Sequence, residues 1–162
     1  MILAIDPGSS QSAWVALNPV TMRLRGFAIS PNELLLQELR AGVSSDVTVA
    51  VIEWTAPRGM PASSELFETL WWAGRFAEAL HPLPVERVKR GDVKRHLCGT
   101  TAANDANVRA ALIDLFGGAG GKAAAVGLKA SPGPLLGVSK DVWAALAVAV
   151  AWNGLRPEAR LE

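Results

Sequence analysis

Val47–Glu53, VTVAVIE, constrains the fold of this chain more than any other stretch. Its β-branched, almost continuously apolar run suits a strand buried on both faces of a sheet. A helical segment precedes it, so the spacing predicts parallel pairing, through a crossover, with a strand earlier in the chain. That strand is Ile2–Ile5, in MILAIDPGSSQSAWVAL at residues 1–17. A Pro-Gly-Ser-Ser turn follows Asp6, and Ser12–Leu17 is apolar again, which reads as a hairpin. Period two puts Ile2, Ala4 and Asp6 on one face and Leu3 and Ile5 on the other.

The remaining pattern completes an α/β domain around one mixed sheet. Arg23–Ile29 reads as a third strand. Ser30 is the expected N-cap of a helix with Pro31 in its first turn and Gly42 as its stop. After a Pro- and Gly-rich loop, a helix is expected from Ala62 to Leu80. Leu66, Leu70, Trp71 and Ala77 mark its apolar side, and Trp72 and Phe76 widen the stripe. Pro84–Val88 is a short strand and Arg90–Leu97 a short basic helix. Asn104 caps an amphipathic helix to Phe116. Gly117–Gly137 has no period and reads as a long mobile loop. Ser139 is the expected cap of a last helix, from Lys140 to Asn153. Residues 1–154 are expected to form one domain, with 155–162 a polar tail.

Composition excludes little but usefully. Half the residues are hydrophobic, enough for a core and too many for a disordered chain. Cys98 is the single cysteine, so no intramolecular disulfide forms, which fits a reducing cytoplasm. The apolar run Val142–Trp152 is too short to span a bilayer, and no signal peptide is visible. Net charge is only +1, so only the distribution of charge can point to nucleic acid.

Acids stand at informative places. Asp6 ends the first strand and Glu53 ends the strand expected beside it. Asp141 lies in the first turn of the last helix, and Asp105 starts an earlier one. Each has a plain alternative. Asp105 and Asp141 suit helix N-termini, worth about 0.3–1 kcal/mol each; Asp105 can pair with Arg109 one turn on; Glu53 can leave the sheet into solvent. Jointly, two acids on adjacent buried strands, with no base positioned to neutralise them, favour a cation site. Carboxylates without His or Cys suit Mg²⁺ or Mn²⁺. Two such ions, ~4 Å apart, serve phosphodiester chemistry.

The chain resembles a RuvC-type Holliday-junction resolvase of the RNase H-like superfamily, in its short phage or prophage branch. The resemblance rests on ILAIDPGSS at 2–10, AVIEW at 50–54, AGR at 73–75 and PVERVKRGDVKRHLCG at 84–99. NDANVRAALIDLFG at 104–117 and PGPLLGVSKDVWAALAVAVAW at 132–152 follow in the family order. It implies an RNase H-like five-stranded mixed sheet flanked by helices and a homodimer. It also implies Mg²⁺-dependent symmetrical nicking of four-way DNA junctions, leaving 5′-phosphate and 3′-hydroxyl ends. Asp6, Glu53 and Asp141 match acidic family positions. Ala144 stands where bacterial members carry a further acid, and Asp105 where they usually carry Lys. Asp105, sharing a helix side with Val108 and Leu112, is expected to point toward the protein body and restore the missing carboxylate.

The densest basic stretch is Arg87, Lys89, Arg90, Lys94, Arg95 and His96, with Arg109 beyond it. Read functionally these residues contact phosphate; read plainly they are a solvated face. Lys122, Lys129 and Lys140 dot the Gly-rich region and its end, where they can follow a DNA strand. Trp54, Arg58 and Met60 follow Glu53, Arg58 as a DNA contact. Related resolvases imply a junction wedge in this loop, for which Trp54 is the candidate; otherwise it is a half-buried loop Trp. Trp71 and Trp72 are assigned to the core and a dimer interface. Alternatives are an actin-like or sugar-kinase ATPase lobe, an RNA-processing nuclease of similar fold, and a junction-binding protein without strong catalysis. The chain is short for the two lobes that the first of these needs.

Overall fold

The computed structural model describes residues 1–55 and 63–156. Strands β1 (Ile2–Asp6), β2 (Gln11–Leu17) and β3 (Leu24–Pro31) form an antiparallel meander. Helix α1 (Asn32–Ala41) leads to β4 (Val49–Trp54), and α2 (Ser64–Ala79) leads to β5 (Val85–Lys89). The sheet order is β3-β2-β1-β4-β5, with β4 parallel to β1 and β5 parallel to β4. Then come α3 (Arg90–Cys98), α4 (Asp105–Gly117), a 3₁₀ turn (Gly118–Gly120), α5 (Gly121–Ala125), the two-residue strands β6 (Gly127–Leu128) and β7 (Ser131–Pro132), and α6 (Val142–Leu155).

The two faces of β1 part as period two requires. Ile2 and Ala4 join Val15, Val51 and the apolar length of α6. Leu3 and Ile5 join Ile52, Leu35, Leu36 and Phe76 under α1 and α2. Helix α6 is apolar all round because it is buried all round, Val142 through Ala151 with only Ala144 part-exposed. Phe76 and Leu146, one from each core, are fully buried. Truncation to Ala would cost about 3–5 kcal/mol at the first and about 2–5 at the second.

Several sequence expectations are corrected. Ser30 is a buried residue of β3; Pro31 holds the N-cap of α1, without a side-chain bond. Ser139 does not cap α6 with its side chain; Asp141 holds that position and also makes no side-chain cap. The cap of α2 is Ser63, whose hydroxyl accepts from the Leu66 N–H at 3.2 Å. The stripe of α2 is rotated from the expected one: Trp72, Ala73 and Phe76 are core, while Phe67 and Trp71 are 63% and 59% exposed. Residues 117–137 are not a structureless loop. The Leu135 N–H donates to the Ala125 carbonyl at 2.8 Å and the Gly133 N–H to Val126 at 3.0 Å, and Ala125 and Leu135 are fully buried. A Cβ at Gly133 would stand 2.4 Å from two backbone oxygens, so this fold depends on glycine there.

Candidate active site

The register that aligns Ile5 with Ile52 continues one residue beyond, where Asp6 and Glu53 meet at the carboxyl ends of β1 and β4. Their side chains share a hydrogen bond. Glu53 is 6% exposed and Asp6 keeps partial access to a cleft of about 460 Å³. Burial pushes the Asp6 carboxyl well above its usual range. The charge and hydrogen bond of Glu53 push the same way, Arg90 opposes them, and Asp141 adds a small further rise. Each of these effects except that of Arg90 disfavours the ionised form of Asp6.

The expectation that no base neutralises the strand acids is overturned by Arg90. It opens α3 directly after β5, the strand beside β4, so tertiary pairing delivers it to Glu53. Arg90 donates from Nη1 to Glu53 Oε2 at 3.1 Å and from Nη2 to Asp105 Oδ1 at 2.9 Å. Burial works against its charge, but Glu53, Asp105 and Asp6 outweigh burial and raise its pKa.

Asp105 is not turned toward the protein body; its side chain is 78% exposed and reaches the cleft by its bond to Arg90. The alternative pairing with Arg109 is absent, and the Arg109 guanidinium stacks 4.9 Å from the Trp143 ring centroid instead. Asp141 is exposed at the cleft rim, behind Lys140, whose left-handed φ of 48° turns the chain into α6. Among the described residues, no three His, Cys, Asp or Glu side chains gather closely enough to hold a metal ion. Asp6 and Glu53 therefore form the tight pair, and Asp141 stands apart because α6 starts beyond it.

The basic stretch divides. Lys94 and Lys140 line the acidic cleft with Arg90. Lys89 is exposed on β5. Arg95 pairs with Asp92 at 3.2 Å and lines a separate groove with His96 and Trp152. Trp54 is half-buried, with the Arg87 guanidinium 4.8 Å from its ring centroid. Arg58 lies outside the described residues.

A buried polar network was missed by the sequence reading. Ser12 donates its hydroxyl to Asn32 Oδ1 at 2.6 Å, and Asn32 donates from Nδ2 to the Gly8 carbonyl at 2.9 Å. The Gly8 N–H donates to Ser12 Oγ at 3.2 Å. The network pins the turn after Asp6. A Cβ at Gly8 would come within 2.3 Å of the Gln11 carbonyl oxygen, so the turn admits only glycine without a shift. The signal was available: Ser12 and Asn32 are polar residues at the edges of apolar segments.

Two solved structures match the chain over nearly its whole length. Thermus thermophilus RuvC superposes with a TM-score of 0.65 at 17% identity, over 98% of this chain and 96% of that one. The fold is RuvC-like. T. thermophilus RuvC in complex with a Holliday junction substrate superposes with a TM-score of 0.61, with the same identity and coverage. No family model matches the chain, and no curated protein does. The RuvC-like fold agrees with the expected RNase H-like five-stranded mixed sheet flanked by helices. Among the described residues, no helix is long and apolar enough to cross a membrane.

Proposed function

We propose that this chain is a Holliday-junction resolvase, a metal-dependent endonuclease that nicks four-way DNA junctions symmetrically. The observation that carries the reading is the pairing of buried Glu53 with part-exposed Asp6 at the ends of adjacent parallel strands, in a cleft that Lys94, Lys140 and Arg90 also line. Metal chemistry fits this donor set. The donors are hard oxygens: Asp6 and Glu53 pair with each other, and of the two only Glu53 is bonded by the Arg90 guanidinium. Mg²⁺ commonly takes one or two carboxylates and completes its shell with water and substrate phosphate. Asp6 and Glu53 would hold Mg²⁺, or Mn²⁺ in its place, and Asp141 would serve a second ion in the same cleft.

When bound, the cation supplies positive charge to the phosphodiester and makes water a better nucleophile. The chain's own residues do the rest. Lys94 and Lys140 orient the DNA strand by its phosphates, and the pinned turn at Gly8 holds Asp6 still. Cleavage at the 3′ oxygen would leave 5′-phosphate and 3′-hydroxyl ends. Two opposed nicks call for two sites, and a two-fold homodimer supplies them. Phe67 and Trp71, exposed on α2, support an interface there. Ala144, in the same cleft, keeps a second reading open, a junction-binding protein with weak catalysis.

The test is a mobile four-way junction incubated with the protein and Mg²⁺, with the nicks mapped on all strands. Paired nicks at symmetrical positions support the resolvase. Tight junction binding without nicks supports the second reading. Equal cutting of linear duplex or RNA overturns both.

A further inference from the structure

Arg90 joins a buried acid to an exposed one. Its Nη1 arm reaches inward to Glu53 at 3.1 Å, and its Nη2 arm is held at the cleft rim by Asp105 at 2.9 Å. Glu53 is also the acid paired with Asp6 across the adjacent strand ends. A guanidinium at that place opposes a divalent cation, by occupying a Glu53 oxygen and by charge repulsion. The same fork is the group best suited to a phosphate oxygen.

We infer that Arg90 is a positioning residue that changes partners. Without a cation it neutralises Glu53. When a cation takes Glu53, the Nη1 arm turns to a phosphate of the DNA, while Asp105 keeps the other arm in place. Asp105 is then the anchor of an arginine and not a cation ligand. This inference rests on the resolvase reading, and it adds a device within that site: cation and DNA enter together, because each frees a place for the other.

Opposite signs in two measurements test it. Mn²⁺ is titrated calorimetrically into the full chain without DNA, and junction binding is measured by gel shift with Ca²⁺ replacing Mg²⁺. Arg90→Gln should bind Mn²⁺ about tenfold more tightly, the change that one charge-assisted hydrogen bond is worth, and should bind the junction more weakly. A purely structural role would weaken both. Unchanged or weaker Mn²⁺ binding in Arg90→Gln, with Mn²⁺ binding lost in Asp6→Asn, overturns the exchange and leaves the metal site standing. Equal Mn²⁺ binding in wild type, Asp6→Asn and Arg90→Gln overturns the metal site and the exchange together. Tighter Mn²⁺ binding with unchanged junction binding overturns the phosphate step. If Arg90→Gln does not fold with Glu53 uncompensated, Asp105→Asn, which removes only the anchor, should keep Mn²⁺ binding and weaken junction binding; lost Mn²⁺ binding or unchanged junction binding overturns the inference.

Discussion

Asp6 and Glu53 touch: the carboxyl of one strand end is hydrogen-bonded to that of its parallel neighbour. Two carboxylates paired in this way ionise together only beside a cation or at a large cost. The arrangement is therefore a stored demand for positive charge, met in part by Arg90 at Glu53.

Neutralising either acid should separate binding from chemistry. Asp6→Asn and Glu53→Gln are expected to reduce Mg²⁺-dependent junction nicking by at least about a hundredfold, as loss of a main electrostatic contributor does. Junction affinity should hold or rise, since negative charge is removed near phosphate. Single-turnover cleavage beside gel-shift binding checks both.

The raised pKa of Asp6 fixes the sign of a pH effect. Its folded pKa lies above the ordinary 3.8, so the stability it contributes is complete below that value. That stability is lost as pH rises through the folded pKa. With divalent ions chelated, Asp6→Asn should therefore melt several degrees higher than wild type at about pH 8, and the gain should shrink toward about pH 4. Thermal melts across pH would contradict this if the gain grew on acidification.

Asn32 should matter to an active site that it does not enter. Asn32→Ala leaves the Gly8 carbonyl and the Ser12 hydroxyl without their partner, a loss of about 1–3 kcal/mol. Denaturant unfolding should show that loss. Nicking should slow more than junction binding weakens, because the turn beside Asp6 is loosened.

The cleft lysines and the outlying arginine should differ. Lys94→Gln and Lys140→Gln are each expected to lower the slope of log affinity against log salt by about 0.9, the value for one lost phosphate contact. Arg95→Gln, whose guanidinium already pairs with Asp92, should change the slope less. Titration of a fluorescent junction at several salt concentrations measures all three.

The strands and their terminal acids were legible because a buried strand writes its period directly into the sequence. VTVAVIE permits little but a central strand, and Asp6 and Glu53 follow as the polar ends of two such runs. Helix α2 was misread in phase because Trp71 and Trp72 are adjacent and equally apolar, and only the packing of Phe76 under the sheet decides between them. Residues 117–137 are Gly- and Ala-rich and carry no period. Their order comes from backbone bonds such as Leu135 to Ala125, which leave no mark on side-chain pattern. In the sequence Arg90 is one more basic residue of a basic stretch. Its ion pair with Glu53 depends on β5 lying beside β4, which charge counting cannot reveal.

The parallel pairing of β1 with β4 also limits how such a chain can change in length. One residue inserted or deleted between Val49 and Ile52 turns Glu53 to the opposite face of the sheet and parts it from Asp6. The same event between Gly42 and Thr48, in the connection that precedes β4, leaves Asp6 and Glu53 in register. Variation in length is thus tolerable in the connections and ruinous inside the two central strands, and a deletion scan would trace the site without any assay of its chemistry.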